Sequence, residues 1–386
     1  MNLVIVESPA KAKTINKYLG KNYTVLASYG HIRDLPSKNG SVDPDQNFKM
    51  IWEIDSFSKK YLKEITEVAK DSSKIILATD PDREGEAIAW HVKEFLNEKK
   101  LLKDKIIERV VFNEITKKAV TKGIENPRSI EPQLVDAYMA RRALDYLVGF
   151  NISPILWTKL PGSKSAGRVQ SVALRLLTER EHEIENFKPE EFWKLFVNFK
   201  IKDGNNINTY PFQINNEKIE KFSFKNKNDI NNIINDIKKK EYEITDIISK
   251  IYNRNPSGPF TTSTLQQSSS SKLGFGASRT MQIAQRLYQG IDIEGETIGL
   301  ITYMRTDGTN ISNEAISIFR TYIEKNYGKN YLPDQALNYS GKKAKNAQEA
   351  HEAIRPTDVE RNPESLKKYL STDQFKLYNL IWSRAL

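Results

Sequence analysis

Cysteine is absent from all 386 residues of the sequence. Its absence excludes disulfide bonds, thiol nucleophiles and cysteine-based zinc sites within these residues. The N-terminus also lacks a long hydrophobic run, because the apolar stretch at residues 2–6 is followed at once by Glu7. Such a start fits neither a signal peptide nor a membrane-spanning helix, so we expect a cytoplasmic protein that does not contact a membrane.

Acidic residues are outnumbered by basic ones, with 49 Asp and Glu against 59 Lys and Arg, which gives a formal net charge of +10. Cationic side chains gain from phosphates through Coulomb attraction and counterion release, so this excess favours a polyanionic partner such as a nucleic acid. Ribosome-associated and membrane-surface proteins share the same excess, and charge alone does not choose among them. At this length we expect two to four domains.

Short apolar runs alternate with helical patterns in the first third of the chain. Residues 2–6 predict a strand, and a helical pattern follows it. A second run at 74–78 leads into an acidic turn with a helix from about Glu86, and a third run covers 109–112. This alternation predicts a parallel α/β domain over roughly the first 125–145 residues, with ligands at the carboxyl ends of its strands.

The remainder of the sequence changes character twice. Residues 132–187 are helical in pattern, whereas 192–255 alternate apolar and polar residues and predict β-ribbons with one inserted helix at 226–240. A Pro-Ser-Gly-Pro breaker at 256–259 marks a boundary. The Ser/Thr/Gln-rich run that follows at 260–267 suits either phosphate contacts or a flexible loop that caps a helix. Further helices are predicted near 276–289, 312–327, 347–354 and 365–385.

Four carboxylates are predicted to meet at one edge of the sheet. Asp80, Asp82 and Glu84 occupy alternate positions in the turn after a strand, where they can converge on a hard cation. Glu7 ends another parallel strand and reaches the same edge. Mg²⁺ usually takes only one or two protein carboxylates and keeps several waters, so not every member need be a ligand. The alternative for the turn alone is a solvated acidic cap on the next helix.

These two segments resemble the toprim domain that topoisomerases, primases and some nucleases share. The resemblance implies that Glu7 serves as a general acid/base and that Asp80, Asp82 and Glu84 bind Mg²⁺, with Glu7 as a fourth carboxylate beside them. It indicates a class of chemistry rather than one enzyme. A toprim nuclease or primase would need no tyrosine nucleophile.

A tyrosine-centred motif indicates which member of that class this is. Residues 299–309 read Gly-Leu-Ile-Thr-Tyr-Met-Arg-Thr-Asp-Gly-Thr and resemble the nucleophile motif of the type IA topoisomerases. A phenol that attacks phosphorus stores the phosphodiester energy in a phosphotyrosine, so resealing requires no ATP. Arg305, two residues after Tyr303, can offer forked hydrogen bonds to the phosphate. The alternative for the motif alone is a tyrosine packed at a domain interface beside a surface arginine.

Further motifs resemble the bacterial type IA enzymes in the same order along the chain. They lie at residues 7–14, 30–36, 140–145, 165–171 and 350–356. The resemblance implies that Lys11 steers the scissile phosphate or tunes Glu7, and that His351 contacts phosphate near the cut. It also implies a set of residues that contact single-stranded DNA. These are His31, Arg33, Arg141, Arg142, Asp145, Ser165, Ala166, Gly167, Arg168, Val169 and Gln170.

Each of these residues also has a plainer interpretation. Arg141 and Asp145 form an i,i+4 pair that would stabilise any helix, and Arg168 could be a solvated cation. His31 or His351 could be a polar core residue. The order and spacing of the motifs across almost the whole chain favour the family interpretation.

The resemblance implies a multidomain architecture: an α/β toprim domain, mainly helical domains and a β-rich arch segment. The expected domains are a toprim domain at 1–145 with an excursion near 36–60, part of a helical single-strand groove domain at 146–190, part of the arch at 191–258, and a helical domain carrying the nucleophile at 259–386. Because relatives run well beyond this length and the sequence stops within a helical pattern, we expect a C-terminally truncated chain with an incomplete DNA gate.

The implied activity is ATP-independent relaxation of negatively supercoiled DNA by a monomer that uses Mg²⁺. Tyr303 would form a 5′-phosphotyrosine link with one strand, Glu7 would protonate the departing 3′-oxygen, and another strand would pass before rejoining. Three alternatives stay open. One is a type IA enzyme specialised for decatenation, and another is a toprim nuclease or primase. The third is a fragment that binds single-stranded DNA, with or without cleaving it, and does not relax duplex DNA.

Overall fold

The computed structural model describes residues 1–337, 339 and 352–386. The chain forms two units, one made of residues 1–167 and 255–386 and the other of residues 168–254. Tyr303 and the four predicted carboxylates all belong to the first unit. His351 lies outside the described residues, as does most of the helix predicted at 347–354.

A parallel four-stranded sheet organises the N-terminal part of the first unit. The strands of this part are β1 (Asn2–Val6), β2 (Tyr23–Ala27), β3 (Arg33–Asp34), β4 (Val42–Asp43), β5 (Lys49–Met50), β6 (Glu53–Ile54), β7 (Lys74–Leu77) and β8 (Ile106–Arg109). The sheet has the order β2-β1-β7-β8, and each neighbouring pair is parallel. The short strands β3 to β6 form two antiparallel pairs in the excursion between β2 and α2. The predicted parallel α/β domain is confirmed.

Helices cover both faces of this sheet. They are α1 (Pro9–Leu19), α2 (Lys59–Lys70), α3 (Arg83–Glu98) and α4 (Lys117–Glu125), followed by the long α5 (Pro132–Lys159). Leu3 and Ile5 pack with α2 and α3, whereas Val4 and Val6 belong to a second core cluster that contains residues of α1 and α4. Alternate residues of β1 thus point to opposite buried faces, which is why the strand reads as a continuous apolar run.

Two predicted boundaries in this part were wrong. The third strand spans Ile106–Arg109 instead of 109–112, because its partner β7 ends at Leu77, which is paired with Arg109. Helix α3 begins at Arg83 rather than near Glu86, because the Asp82 side chain caps its first turn. Helix α5 continues through residue 145, the boundary predicted between the first two domains.

The C-terminal part of the first unit is mainly helical. Its elements are α8 (Thr262–Leu273), α9 (Ala277–Gln289), the hairpin β13 (Ile291–Ile293) and β14 (Glu296–Ile298), α10 (Asn313–Tyr327), α11 (Pro363–Leu366) and α12 (Thr372–Ala385). The hydroxyl-rich run at 260–267 is not a flexible loop, because Thr261 caps α8 and the run forms its first turns. The helix predicted at 365–385 is divided in two, since Ser371 caps a new helix, α12. Residues 352–354 are not helical.

The second unit contains α6 (Arg168–Glu185), β9 (Val197–Lys200), β10 (Asn206–Thr209), β11 (Gln213–Ile214), β12 (Glu217–Lys218) and α7 (Lys227–Ile237). The strands form two antiparallel pairs, and α7 follows them. The predicted β-ribbons with one inserted helix are confirmed. Among the described residues of the whole chain, no helix is both long and apolar enough to cross a membrane.

Candidate active site at the carboxyl edge of the sheet

The acidic turn is held tightly against the start of α3. The Asp82 side chain accepts a hydrogen bond from Gly85 N at 2.8 Å, so the predicted helix-capping role is correct for this residue. A Cβ on Gly85 would lie 2.1 Å from the Asp80 carbonyl oxygen, and a glycine is required for this close approach. Asp80 and Asp82 are thereby fixed beside the end of β1, where Glu7 lies.

Lys11 joins the first two carboxylates of the site. Its Nζ lies 2.8 Å from Glu7 Oε1 and 2.8 Å from Asp80 Oδ1, and the side chain is fully buried. Glu7 and Lys11 are one helical turn apart, so α1 presents the lysine to the sheet edge. Although burial opposes its charge, the attraction of Asp80 and Glu7 raises the pKa of Lys11. The lysine is therefore a fixed cation within the site.

Glu7 is poised to exchange a proton near neutral pH. Burial and the repulsion of Asp80 raise its pKa to about 7, although Lys11 opposes the shift. A carboxyl group with such a pKa can donate a proton to a leaving oxygen and take it back in the reverse step. The predicted general acid/base thus has a physical basis in this structure.

Tyr303 contacts the same turn. Its side chain is 2% exposed, and its Oη donates a hydrogen bond to Asp82 Oδ2 at 2.7 Å. Its backbone N–H donates to Asn113 O at 2.7 Å, which fixes the residue beside the chain that follows β8. Burial, then the charges of Asp80 and Asp82, raise the pKa of Tyr303 far above its ordinary value. The phenol is therefore neutral, and Asp82 is the acceptor for its proton.

Arg305 binds the other side of the acidic turn. Its Nη1 lies 2.7 Å from Glu84 Oε2 and 3.6 Å from Asp82 Oδ2, and its side chain is 50% exposed. A cleft of 780 Å³ opens beside it and is lined by Glu7, His31, Asp80, Asp82, Glu84, Gln282, Gln285, Arg286 and Arg305, among others. An anionic group that enters this cleft meets Arg305 at its wall.

The four predicted metal ligands do not form one group in this arrangement. Among the described residues, no three Asp, Glu or His side chains come together as a metal-binding set. Tyr303 donates to one oxygen of Asp82 and Arg305 to one oxygen of Glu84, whereas Glu7 Oε2 is buried and has no hydrogen-bond partner among the described residues. Mg²⁺ needs only one or two carboxylates, so Glu7 with Asp80 fits this ion.

The predicted DNA contacts in the first unit fall into two groups. His31 lines the cleft, its Nδ1 lies 3.3 Å from Tyr138 Oη, and burial lowers its pKa. Arg33, in contrast, is buried in an ion pair with Glu98 at 2.5 Å and does not line the cleft. The structure places Arg33 as an internal cation, because the short strand β3 turns its side chain inward.

The arginines of α5 are engaged with neighbouring carboxylates. Arg142 Nη2 lies 2.6 Å from Asp34 Oδ1, whereas Arg141 makes only a long contact of 3.8 Å with Asp145 and is 40% exposed. After this helix come Ser165, Ala166 and Gly167, with Ala166 N donating to Ser153 Oγ at 3.1 Å. Arg168, Val169 and Gln170 open α6 in the second unit. DNA binding by these residues stays a prediction.

Sequence reasoning missed two buried residues that support the site. Arg109 is 1% exposed and donates to the carbonyl oxygens of Leu77, Thr79 and Asp80 at 3.1, 2.8 and 2.7 Å. Its charge is balanced by Glu86, at 2.9 Å. A charged residue inside a predicted apolar strand was the available signal. Tyr288, the second residue, is fully buried beside Asp80, and no sequence pattern distinguishes it.

Comparison with known proteins identifies the family. The chain matches the Toprim domain model over residues 2–115 and a DNA topoisomerase family model over residues 129–386. It is 56% identical over 389 residues to DNA topoisomerase 1 of Rickettsia felis, covering 100% of this chain and 50% of that protein. For DNA topoisomerase 1 of Zymomonas mobilis the identity is 53% over 386 residues, covering 100% of this chain and 30% of that protein.

A solved structure of a topoisomerase I has the same fold as this chain. Full-length topoisomerase I from Thermotoga maritima superposes with a TM-score of 0.79 at 39% identity, over 99% of this chain and 60% of that one. The chain spans half or less of the length of the two curated relatives described. The resemblance drawn from the motifs is confirmed: the chain belongs to the bacterial type IA DNA topoisomerase family.

Proposed function

We propose that this chain carries the strand-cleavage and rejoining centre of a DNA topoisomerase, with Tyr303 as the nucleophile. The observation that carries the proposal is the 2.7 Å hydrogen bond from Tyr303 Oη to Asp82 Oδ2 beside the Glu7–Lys11–Asp80 ion pairs. A nucleophile, an acceptor for its proton and a carboxyl group able to protonate a leaving oxygen thus lie together at the carboxyl edge of the sheet.

Cleavage requires that Tyr303 lose its proton as it attacks. Asp82 Oδ2 already accepts the phenolic hydrogen, so it takes the proton while Oη bonds to phosphorus. The bond from phosphorus to the 3′-oxygen breaks, and Glu7 donates a proton to that oxygen. The 5′ end stays on Tyr303. In rejoining, the 3′-hydroxyl attacks the phosphotyrosine and gives its proton to Glu7. The bond from phosphorus to Tyr303 Oη breaks, and Asp82 returns its proton to that oxygen.

Cations in the cleft stabilise charge that develops on the phosphate. Arg305 is half-exposed and bound to Glu84, so it can turn its guanidinium to the phosphate oxygens without leaving the cleft. Lys11 is fixed between Glu7 and Asp80 and adds positive charge beneath the reacting atoms. We propose that His351 also contacts the phosphate.

A metal ion has a place in this arrangement. Asp80 and Glu7, the latter in its ionised form, would hold Mg²⁺, and we propose Asp82 and Glu84 as the other carboxylates of the set. When bound, the ion supplies positive charge that positions the released 3′ end for rejoining. The residues of the chain perform the proton transfers described above.

The substrate we propose is a single-stranded region of negatively supercoiled DNA. We propose that Arg141, Arg142, Asp145 and residues 165–170 contact this DNA. The segment at 146–190 would be part of a groove domain for single strands, 191–258 part of an arch, and 259–386 the domain that carries Tyr303. Relaxation of supercoils by a monomer in the cytoplasm is proposed for the whole protein. For this chain the proposal is cleavage and rejoining, since Tyr303, Asp82 and Glu7 all lie within it.

Covalent trapping tests the proposal. The protein is incubated with 5′- and 3′-end-labelled single-stranded oligonucleotides and Mg²⁺, then quenched with denaturant. We expect a protein band that carries the label of the fragment attached by its 5′ end and that is absent in Tyr303→Phe. The matched control is Tyr322→Phe, a buried tyrosine of the same unit outside the cleft. Adduct formation by Tyr303→Phe would reject Tyr303 as the nucleophile, and binding without any adduct would favour a DNA-binding fragment.

A further inference from the structure

Tyr288 connects the Tyr303 segment to the acidic turn. It lies near the end of α9 and is fully buried, and its Oη lies 3.2 Å from Asp80 Oδ1, to which it donates a hydrogen bond. Its ring stands edge-on to that of Tyr303, with 5.3 Å between the centroids and 65° between the planes. Lys11 Nζ lies 5.6 Å from the centre of the same ring. One side chain thus contacts the nucleophile, the buried cation and a carboxylate.

The two carboxylate oxygens of Asp80 differ in their hydrogen bonding. Oδ1 accepts hydrogen bonds from Lys11 Nζ at 2.8 Å and from Tyr288 Oη at 3.2 Å. Within the described part of the chain, no side chain donates to Oδ2, and Asp80 lines the cleft. Two donors on one oxygen fix the rotation of the carboxylate, so the other oxygen keeps one orientation toward a ligand in the cleft.

We infer that Tyr288 is a positioning residue that orients Asp80 for the metal ion and supports the ring of Tyr303. The inference rests on the proposed function, because it assigns Asp80 to the metal. An ordinary core tyrosine offers a contrast: Tyr378 is also fully buried, but its Oη donates to the Arg361 carbonyl oxygen at 2.7 Å, within the same segment. The hydroxyl of Tyr288 instead donates a hydrogen bond to a carboxylate of the active site.

The position of Tyr288 couples this orientation to closure of the site. Tyr288 and Tyr303 both belong to the segment after residue 255, whereas their acceptors Asp80 and Asp82 belong to the toprim segment. Separation of the two segments for strand passage would break both hydrogen bonds together. Asp80 is therefore fully oriented only when the nucleophile is in place, which restricts metal-assisted rejoining to the closed state.

A binding measurement without DNA tests the inference directly. Tyr288→Phe keeps the ring and removes only the hydroxyl, so the contact with Tyr303 is retained. We expect its affinity for Mn²⁺, used as a spectroscopic substitute for Mg²⁺ and followed by electron paramagnetic resonance, to fall about 10-fold, as typical for loss of a group that orients a metal ligand. Tyr378→Phe, the matched control, should bind Mn²⁺ as the unmodified chain does. Equal affinities in the three proteins would overturn the inference.

Activity provides a second readout. The Mg²⁺ concentration that half-saturates rejoining of the trapped adduct should rise about 10-fold in Tyr288→Phe and stay within about twofold of the unmodified chain in Tyr378→Phe. A merely structural role would lower the melting temperature and leave the half-saturating concentration unchanged, which would contradict the inference. If the unmodified chain forms no adduct, the proposed function fails, whereas the Mn²⁺ titration still decides the role of Tyr288.

Discussion

At the scale of single residues, burial and neighbouring charges shift the pKa values of the groups that form the site. Lys11 is completely buried but charged, because two carboxylates lie 2.8 Å from its Nζ. Glu7 belongs to the same ion pair and yet has a pKa of about 7, because burial and the repulsion of Asp80 together exceed the attraction of Lys11. Perturbed groups of this kind in a cleft are typical of catalytic sites.

The raised pKa of Glu7 predicts a pH-dependent stability. Because the folded-state pKa of about 7 lies above the value of 4.5 for an unperturbed glutamate, the folded protein binds the extra proton between these limits. The contribution of this proton to the free energy of unfolding is complete below pH 4.5 and is lost as the pH rises through 7. In Glu7→Gln, which stays neutral, this loss is absent. Relative to the variant, we expect the unmodified chain to lose at most about 3 kcal/mol between pH 5 and pH 8.

Urea denaturation in the presence of a chelator measures this difference at the two pH values. The matched control is Glu53→Gln, an exposed glutamate whose pairing with Lys38 lies on the surface. A difference between Glu7→Gln and the unmodified chain that does not vary with pH would show that Glu7 is ionised throughout this range.

At the scale of elements, a buried arginine links the ends of two strands, β7 and β8, to the acidic turn. Arg109 is the last residue of β8, and its side chain donates to the carbonyl oxygens of Leu77 in β7 and of Thr79 and Asp80 beyond it. Glu86 in α3 neutralises it and also binds Arg128 at 2.8 Å. The network therefore fixes the turn that carries Asp80 to both the sheet and the following helix.

Removal of this arginine should destabilise the fold. Arg109→Met leaves the buried Glu86 with one fewer cation and removes the Arg109 donor from the carbonyl oxygens of Thr79 and Asp80. We therefore expect a loss of about 3 to 5 kcal/mol in the free energy of unfolding. Arg128→Met is the matched control, since this partner of Glu86 is 31% exposed and should cost less. Equal losses in the two variants, measured by urea denaturation, would contradict a special role for Arg109.

At the scale of the whole molecule, residues distant in sequence share one core. Val4 and Val6 of β1 belong to the same cluster as Leu287, Tyr303 and residues of α12. In the second unit, only Phe224 and Ile230 are buried apolar residues within the described chain. Burial of apolar surface supplies most of the stability of a unit, so the two units should differ strongly in local stability.

Native-state hydrogen exchange followed by mass spectrometry tests this expectation. Amides of β1 and β7 should exchange only through global unfolding of the first unit, whereas those of β9 and β10 should exchange at least about 100-fold faster through local opening. The strands are similar in length, but β1 and β7 are paired on both sides and β9 and β10 on one side only. The comparison is therefore restricted to amides that donate a hydrogen bond to a neighbouring strand. Protection of β9 equal to that of β1 would show that the second unit has a source of stability other than its own core.

Much of this protein follows from local sequence. Apolar runs of strand length that end in Glu7 and in the acidic turn predicted the parallel sheet, since parallel strands buried on both faces must be apolar throughout. The spacing of the motifs around Tyr303 and Glu7 predicted the family. Capping residues such as Ser8 and Gly20, at either end of α1, fixed that helix, because backbone groups at helix ends need local partners.

Only the tertiary structure decided which groups meet. The contacts of Lys11 with Asp80, of Tyr303 with Asp82 and of Tyr288 with Asp80 join residues far apart in the sequence, and no periodicity encodes them. The same is true of Arg33, which was predicted to contact DNA and is buried on Glu98. Local sequence determines backbone hydrogen bonding and which face is apolar, whereas the environment of a polar side chain, and with it its pKa and its role, depends on what the rest of the chain packs against it.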